Sequence, residues 1–189
     1  MAELEVKRLT MLDHYPREYR RALKNTLTQG QLEEYLKGST PMFVVGPLML
    51  PSFLKAMTEA DCCMDQARYV TQASLLCHKL YLFEGINTPL VRASDRTDDY
   101  VDGMLVFSLS TQRRGWIHDL EASNEMELKN VQVEITLEDG NLCTIEAGAF
   151  VWTGAIHNGI IPAERKEWIV DEFLSSSWYG TITAEYGSC

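Results

Sequence analysis

The chain has 189 residues, of which 46% are hydrophobic, so it can build one sizeable core. Its 27 acidic and 17 basic residues give a formal charge of -10 at pH 7, which argues against a general phosphate-backbone binder and against an anionic membrane surface. No stretch approaches the roughly 20 apolar residues of a transmembrane helix, and residues 1–5 are acidic where a secretory signal peptide would be basic. We therefore expect a soluble, cytoplasmic protein that binds neither nucleic acid nor membrane.

The cysteines and histidines do not form a metal-binding pattern. The five cysteines are an odd number without a C-x-x-C pair, and the four histidines stand at scattered positions. We expect buried or free thiols, no metal site and no cofactor. The cysteines are Cys62, Cys63, Cys77, Cys143 and Cys189.

An amphipathic segment precedes the first strand. Apolar residues recur at helical spacing from Tyr15 to Lys37, which predicts one helix or two helices broken at Gly30. Its apolar face packs on the domain or on a partner subunit, so a homodimer is compatible with this segment. We divide the chain into a helical segment (1–40), one domain (41–178) and a C-terminal tail (179–189).

The stretch from Phe43 to Leu54 combines a strand, a turn and a helix start. Phe43 to Val45 is typical of a buried strand, Gly46-Pro47 ends it, and Ser52 is placed to cap a helix continuing toward Met64. A strand that turns on glycine into a helix presents backbone N–H groups to an anion. A purely structural turn is the alternative interpretation.

The middle of the chain predicts three strands and a short helix. Residues 73–83 form a strand, residues 84–89 a loop and residues 90–92 a return strand. A further strand spans 101–109, and Ser110 or Thr111 caps a helix that runs to Leu120. That helix supplies Asp119 and Glu121.

The last third predicts a hairpin followed by a strand and a helix. Apolar residues alternate over 131–137, Asp139-Gly140 turns the chain, and the alternation resumes to residue 146. A core strand follows at 149–152, and a closing helix spans 162–178 with Trp168, Ile169, Phe173 and Leu174 on its inner side. The fold class is α+β, a mixed sheet or small barrel.

Three segments in the same order resemble the gamma-glutamylcyclotransferase-like superfamily, particularly its AIG2-like branch. They are the strand and turn at 43–48, Val101-Asp102-Gly103-Met104-Leu105 and Ile117-His118-Asp119-Leu120-Glu121. Residues 149–152 and 168–173 also resemble the C-terminal part of fungal AIG2-like proteins. The resemblance covers roughly residues 43–173 and implies a small mixed β-barrel with helices packed outside. It also implies a small-molecule substrate and an enzyme that closes a gamma-glutamyl group to 5-oxoproline with release of an amine.

By this resemblance Glu121 matches the family glutamate that transfers the proton. An α-ammonium attacks only after a base removes its proton, and the leaving amine must then be protonated, so one carboxylate can serve both steps. A solvated helix-end charge is the alternative for Glu121. His118 and Asp119 could tune it. Glu84 imitates the aromatic-Glu-Gly pattern in another place, and we interpret it and Glu125 as solvated acids.

The resemblance also implies a substrate cradle at Val45, Gly46, Pro47 and Leu48. Val45 replaces the family tyrosine, and Pro47 replaces a small hydroxyl residue and removes a backbone N–H. His118 and Leu120 also depart from the family segment. The first hypothesis is therefore an enzyme acting on a gamma-glutamyl amine or on a diverged, less polar metabolite in specialised metabolism. The second is a catalytically silent binding domain for a small molecule or a protein.

Overall fold

The computed structural model describes residues 9–58, 64–122 and 125–186. Its α-helices are α1 (Arg17–Lys24), α2 (Gln29–Gly38), α3 (Pro51–Met57), α4 (Thr111–Glu121), α5 (Asp171–Leu174) and α6 (Ser177–Tyr186). Two 3-10 turns lie at Gly46–Met49 and Gln66–Tyr69. The strands are β1 (Met42–Val44), β2 (Val70–Leu76), β3 (His78–Phe83), β4 (Thr88–Ala93), β5 (Tyr100–Val106), β6 (Met126–Thr136), β7 (Leu142–Trp152) and β8 (Ile160–Pro162).

Five strands close into a barrel in the order β1-β5-β2-β6-β7. All neighbours are antiparallel except β1 and β7, which close the barrel in parallel with Met42 opposite Gly148. A second sheet, in the order β4-β3-β8, lies beside the barrel. The predicted fold class is confirmed: an α+β fold with a small mixed barrel and flanking helices.

The N-terminal segment forms two helices, but the predicted break at Gly30 is wrong. The chain breaks between Lys24 and Gln29, and Gly30 lies inside α2. Thr28 caps α2 in a capping box, in which its hydroxyl accepts from the N–H of Gln31 and the Gln31 side chain accepts from the N–H of Thr28. This local signal outweighs the weak helix-breaking effect of one exposed glycine.

The predicted strand over 73–83 is two strands. The chain turns at Cys77, which adopts a left-handed φ of 57°, so β2 remains in the barrel while β3 crosses into the second sheet. The return strand is confirmed as β4, which pairs with β3 from His78 opposite Ala93 to Phe83 opposite Thr88. This crossing places β4 over one end of the barrel.

The hairpin is confirmed and is longer than predicted. β6 and β7 pair without interruption from Met126 opposite Trp152 to Thr136 opposite Leu142, so the predicted core strand at 149–152 is the end of β7. The predicted helix over 162–178 is wrong: β8, an irregular stretch, α5 and the start of α6 occupy that region. Within it, Trp168 is buried and Phe173 and Leu174 pack on the core, as the pattern indicated. Residues 179–186 continue α6.

Of the helices in the described residues, none combines the length and the apolar character needed to span a bilayer.

Candidate functional site

Helix α4 carries Glu121 to the end of the barrel. Ser110 caps the helix by accepting a hydrogen bond from the N–H of Arg113 at 3.3 Å, and Glu121 is its last residue. Ile117 lies one turn earlier on the same face and is fully buried. The intervening residues His118, Asp119 and Leu120 are exposed, so the helix points Glu121 inward and these three outward.

Glu121 lines a small cavity, here called the inner cavity, of about 70 Å³. Its walls come from β1 and the following turn, from β4, from α4 and from the ends of β6 and β7. Apart from Glu121 and Thr88 the lining side chains are apolar. The described lining residues are Phe43, Val44, Val45, Pro47, Leu48, Thr88, Pro89, Leu90, Val91, Ile117, Glu121, Met126 and Phe150.

A larger and more open cavity, here called the outer cleft, adjoins the inner cavity and measures about 550 Å³. The two share Pro47, Leu48, Thr88, Pro89 and Glu121, so Glu121 stands at the boundary between them. The remaining described lining of the outer cleft comes from α3, the β3–β4 turn, α4 and the C-terminal segment. These residues are Phe53, Gly85, Ile86, Asn87, Leu120, Trp168, Glu172, Phe173, Ser176 and Trp178.

Burial perturbs the Glu121 carboxyl strongly. Removal from water raises its pKa from the ordinary 4.5 to about 7. Within the described residues no hydrogen bond or ion pair reaches its carboxyl oxygens. Glu121 is therefore a carboxyl group that can hold or release a proton near neutral pH.

The turn after β1 supplies one wall of the inner cavity. Of its four predicted substrate-binding residues, Val45, Pro47 and Leu48 line the cavity beside Glu121, whereas Gly46 does not. Gly46 adopts a left-handed φ of 79°, and a Cβ at this position would lie 2.7 Å from Cγ of Pro89. Glycine therefore lets β4 approach the turn closely, which brings Thr88 and Pro89 onto the opposite wall.

The other sequence-predicted residues lie elsewhere. Ser52 does not cap α3, because the cap position is Leu50 and Pro51 is the first helical residue; the Ser52 hydroxyl instead lies 3.4 Å from that of Tyr179. The helix ends at Met57, and residues 59–63 of its predicted extension lie outside the described residues. Glu84 and Glu125 are exposed.

His118 and Asp119 do not contact the Glu121 carboxyl. The His118 ring packs edge-on against Phe150, a lining residue of the inner cavity, with centroids 5.8 Å apart. The nearest oxygen of Asp119 lies 3.7 Å from Nδ1 of His118 on the exposed side. His118 thus supports the cavity wall from behind.

Two parts of the site were not predicted from the sequence. β4 was expected only as a short return strand, yet it forms a whole wall of the inner cavity. The aromatic residues of the C-terminal segment were expected to pack in the core, and they also line the outer cleft. The five-residue spacing of Trp168, Phe173 and Trp178 does not correspond to one face of a helix, so the sequence carried no signal of a shared surface.

Among the described residues no group of three or more histidine, cysteine, aspartate or glutamate side chains is placed to hold a metal ion. The titratable side chain that both cavities share is Glu121, beside Pro47, Leu48, Thr88 and Pro89.

Comparison with known proteins links the chain to solved structures only. No protein family profile and no curated protein sequence matches it. The solution structure of At5g39720.1 from Arabidopsis thaliana is similar with a TM-score of 0.51 and 17% identity, covering 77% of this chain and 87% of that one. The solution structure of At3g28950.1 from the same plant has a TM-score of 0.49 and 18% identity, covering 78% and 80%. YkqA from Bacillus subtilis has a TM-score of 0.47 and 15% identity, covering 72% and 42%.

At such identities a structural likeness shows the fold alone. The match to At5g39720.1 spans most of both chains and agrees with the closed five-stranded barrel. The chain therefore shares the fold of At5g39720.1, a small mixed β-barrel with flanking helices.

Proposed function

We propose that this protein is an acid–base enzyme of the gamma-glutamylcyclotransferase-like type, in which Glu121 transfers a proton to and from a small-molecule substrate. The observation that carries the proposal is the Glu121 carboxyl, which none of the described residues pairs, at the boundary of the inner cavity and the outer cleft. Burying a carboxyl without a partner destabilises a fold, and folds retain such groups mainly at functional sites. A pKa of about 7 lets the same group act as base and then as acid at neutral pH.

With a gamma-glutamyl amine as the substrate, the reaction would begin with proton transfer to Glu121. The Glu121 carboxylate removes a proton from the α-ammonium, and the freed amine attacks the γ-carbonyl carbon, forming the ring C–N bond. The C–N bond to the leaving amine then breaks, and the protonated Glu121 returns its proton to that amine. The ring nitrogen also gives up its second proton, which the released amine takes up, so the products are 5-oxoproline and the amine in its ammonium form, and Glu121 ends as it began.

The substrate is either a gamma-glutamyl amine or a less polar compound of specialised metabolism that undergoes a related proton transfer. The residues that line the inner cavity favour the less polar substrate. Val45 offers no hydroxyl and Pro47 no N–H, so the cradle lacks two groups that would hold an α-carboxylate. Losing a donor to a charged ligand typically costs about 1.5 to 3 kcal/mol, or roughly ten-fold or more in affinity.

The same weakened cradle favours a second candidate, a catalytically silent domain that kept the cavity for binding a small molecule or a protein. Both candidates place a ligand against Glu121 and the turn at 45–48. They differ in whether bonds change, so turnover distinguishes them.

Substitution of Glu121 by glutamine tests the proton-transfer role. The neutral amide matches the shape of the protonated carboxyl but cannot take up a proton, so we expect a folded protein that still binds ligand and loses at least about 1,000-fold in turnover. The assay incubates the wild type and Glu121→Gln with a panel of gamma-glutamyl peptides and amines, and it follows 5-oxoproline by mass spectrometry.

Glu84→Gln is the matched control. Glu84 is also a glutamate, but it is exposed and lines neither cavity, so this variant should keep wild-type turnover. Full activity of folded Glu121→Gln would reject the catalytic role. Absence of product from the wild type across the panel would leave the diverged metabolite and the binding domain, and the probes described next address both.

A further inference from the structure

The two joined cavities have very different sizes, which restricts the shape of any ligand. A cavity of about 150 Å³ accepts a benzene ring, so the inner cavity of about 70 Å³ has room for only a few heavy atoms. The outer cleft, at about 550 Å³, lies within the range of ordinary small-molecule sites. A ligand that reaches Glu121 therefore has a small head in the inner cavity and a larger body in the outer cleft.

The walls of the outer cleft are aromatic and aliphatic. The ring of Phe53 packs edge-on against the rings of Phe173 and Trp178, each at 5.3 Å between centroids. At the rim Ile86, Leu120 and Trp178 expose 69%, 44% and 51% of their surface, which is unusual for side chains so large. The cleft therefore offers apolar contact and aromatic ring faces and edges to the body of a ligand.

The charged side chains among the described lining residues are all acidic. Among the described residues that line the two cavities, the charged side chains are Glu121 and Glu172, and none is lysine, arginine or histidine. The other polar side chains there are neutral: Asn87, Thr88 and Ser176. Ser176 is already engaged, because its hydroxyl donates to the carbonyl of Phe173 and accepts from the N–H of Tyr179. A carboxylate would meet two like charges and no cation, whereas an ammonium would meet two opposite charges and aromatic rings.

From the volumes of the two cavities, their apolar walls and the negative charge of their lining, we infer that the ligand is an amine with an apolar, ring-sized body. Its amino group lies at Glu121 in the inner cavity, its body lies against Phe53, Phe173 and Trp178 in the outer cleft, and a free carboxylate is excluded. The inference deepens the proposed function and rests on it in placing the reacting group at Glu121. It also narrows the two substrate alternatives, because a free gamma-glutamyl group carries the α-carboxylate that this lining disfavours.

Three probes of equal length test the inference: 3-phenylpropylamine, 3-phenylpropanol and 3-phenylpropionate. They share the ring and chain and differ in carrying a cationic, a neutral or an anionic head. Titration calorimetry of the full chain at pH 8 should show the amine binding about ten-fold more tightly than the alcohol and still more tightly than the acid. Tryptophan fluorescence excited at 295 nm gives a second readout, because Trp168 and Trp178 line the cleft.

Charge variants test whether the named carboxylates cause the preference. Glu172→Lys should reverse the order of the amine and the acid, and Glu121→Gln should reduce the difference between amine and alcohol by about ten-fold. Glu164→Lys is the matched control: Glu164 is exposed nearby in the sequence but lines neither cavity, so this variant should keep the wild-type order. Both lysine variants change the net charge equally, which separates a local effect from that of the whole-protein field.

Some results would overturn the inference. Binding of the acid as tightly as the amine, equal binding of alcohol and amine, or no detectable binding of any probe at millimolar concentration would each reject it. The proposed catalysis fails separately: selective amine binding in a protein whose Glu121→Gln variant turns over normally would reject the catalytic role and keep the inference. Turnover that depends on Glu121 but uses only free gamma-glutamyl amino acids would reject the inference and keep the catalytic role.

Discussion

Substitution of Glu121 by glutamine should stabilise the folded protein by about 3 kcal/mol at pH 8, while removing its activity. The wild-type protein must hold an ionised, unpaired carboxylate in an apolar cavity at this pH, and glutamine removes that charge without changing the size of the side chain. A stabilising substitution at the most important residue of the site is the behaviour expected of a group kept for function.

The sign of the effect follows from the two pKa values of Glu121. The carboxyl ionises near 4.5 in the unfolded chain and near 7 in the folded protein, so the folded state holds its proton more tightly. Below about pH 4.5 both states are protonated and the group contributes nothing to the pH dependence. Between these values the free energy of unfolding falls by about 1.4 kcal/mol per pH unit, and above pH 7 the penalty is constant.

Urea denaturation of the wild type and Glu121→Gln at pH 4.5, 6 and 8 measures the effect. The free energies of unfolding of the two proteins should differ little at pH 4.5, and that of the variant should exceed that of the wild type by a growing amount up to pH 8. Taking the difference between two proteins removes other titrating groups, such as Asp99 and Asp171, whose pKa values are lowered by their partners and which act in the opposite direction. The exposed control Glu84→Gln should give a flat difference, and a flat difference for Glu121→Gln would show that water or a counter-charge solvates its carboxyl.

The barrel strands followed from local patterns because their burial alternates. In the hairpin Val131, Val133 and Ile135 are buried, whereas the polar residues between them are exposed or half-buried, so the sequence showed the period of two. The passage of the chain from the barrel to the second sheet at Cys77 could not be predicted from the sequence. It depends on a left-handed residue between two apolar strands, and nothing in the side chain of cysteine favours that conformation.

The C-terminal segment was mispredicted for a related reason. Its large aromatic residues fit the inner face of a helix, but Trp168 is fixed by a hydrogen bond from its Nε1 to the carbonyl of Asn87 at 2.8 Å, across 81 positions of the sequence. Helix periodicity cannot distinguish an aromatic residue held by such a distant partner from one in a continuous helix. The short α5 begins at Asp171, three residues after Trp168.

The candidate site was predictable where one element supplies several residues and unpredictable where distant elements meet. The turn at 45–48 and Glu121 were singled out through the resemblance, and the structure places three of those four turn residues around the same cavity as Glu121. The outer cleft combines α3, the β3–β4 turn and the C-terminal segment, which no local pattern connects. Its charge and size, which determine the ligand class inferred above, therefore required the three-dimensional arrangement.

Substitution of Gly103 by alanine should destabilise the protein by about 3 kcal/mol and also impair ligand binding. Gly103 lies in β5 between β1 and β2, opposite Ala73. A Cβ there would lie 2.6 Å from Cζ of Phe43 and 2.6 Å from the carbonyl oxygen of Val44, well inside van der Waals contact. Because Phe43 also lines the inner cavity, moving its ring to make room changes the space beside Glu121.

Gly115→Ala provides an internal comparison, in which we expect the change in stability to have the opposite sign. Gly115 lies exposed within α4, and a Cβ there meets nothing within 4 Å, so alanine should stabilise the helix by about 0.5 to 1 kcal/mol. Urea denaturation of both variants, together with calorimetry using 3-phenylpropylamine, measures stability and binding on the same samples.

A second substitution separates the two clashes at Gly103. Phe43→Leu removes the ring edge but leaves the carbonyl of Val44 in place, so Phe43→Leu/Gly103→Ala should recover only part of the loss that alanine causes in the wild-type background. Full recovery would assign the whole effect to the ring. No loss in the single variant would mean that β1 and β5 can separate at little cost, which contradicts their pairing from Met42 opposite Val106 to Val44 opposite Met104. Glycine at position 103 thus lets the Phe43 ring lie flat against β5 and form one wall of the inner cavity.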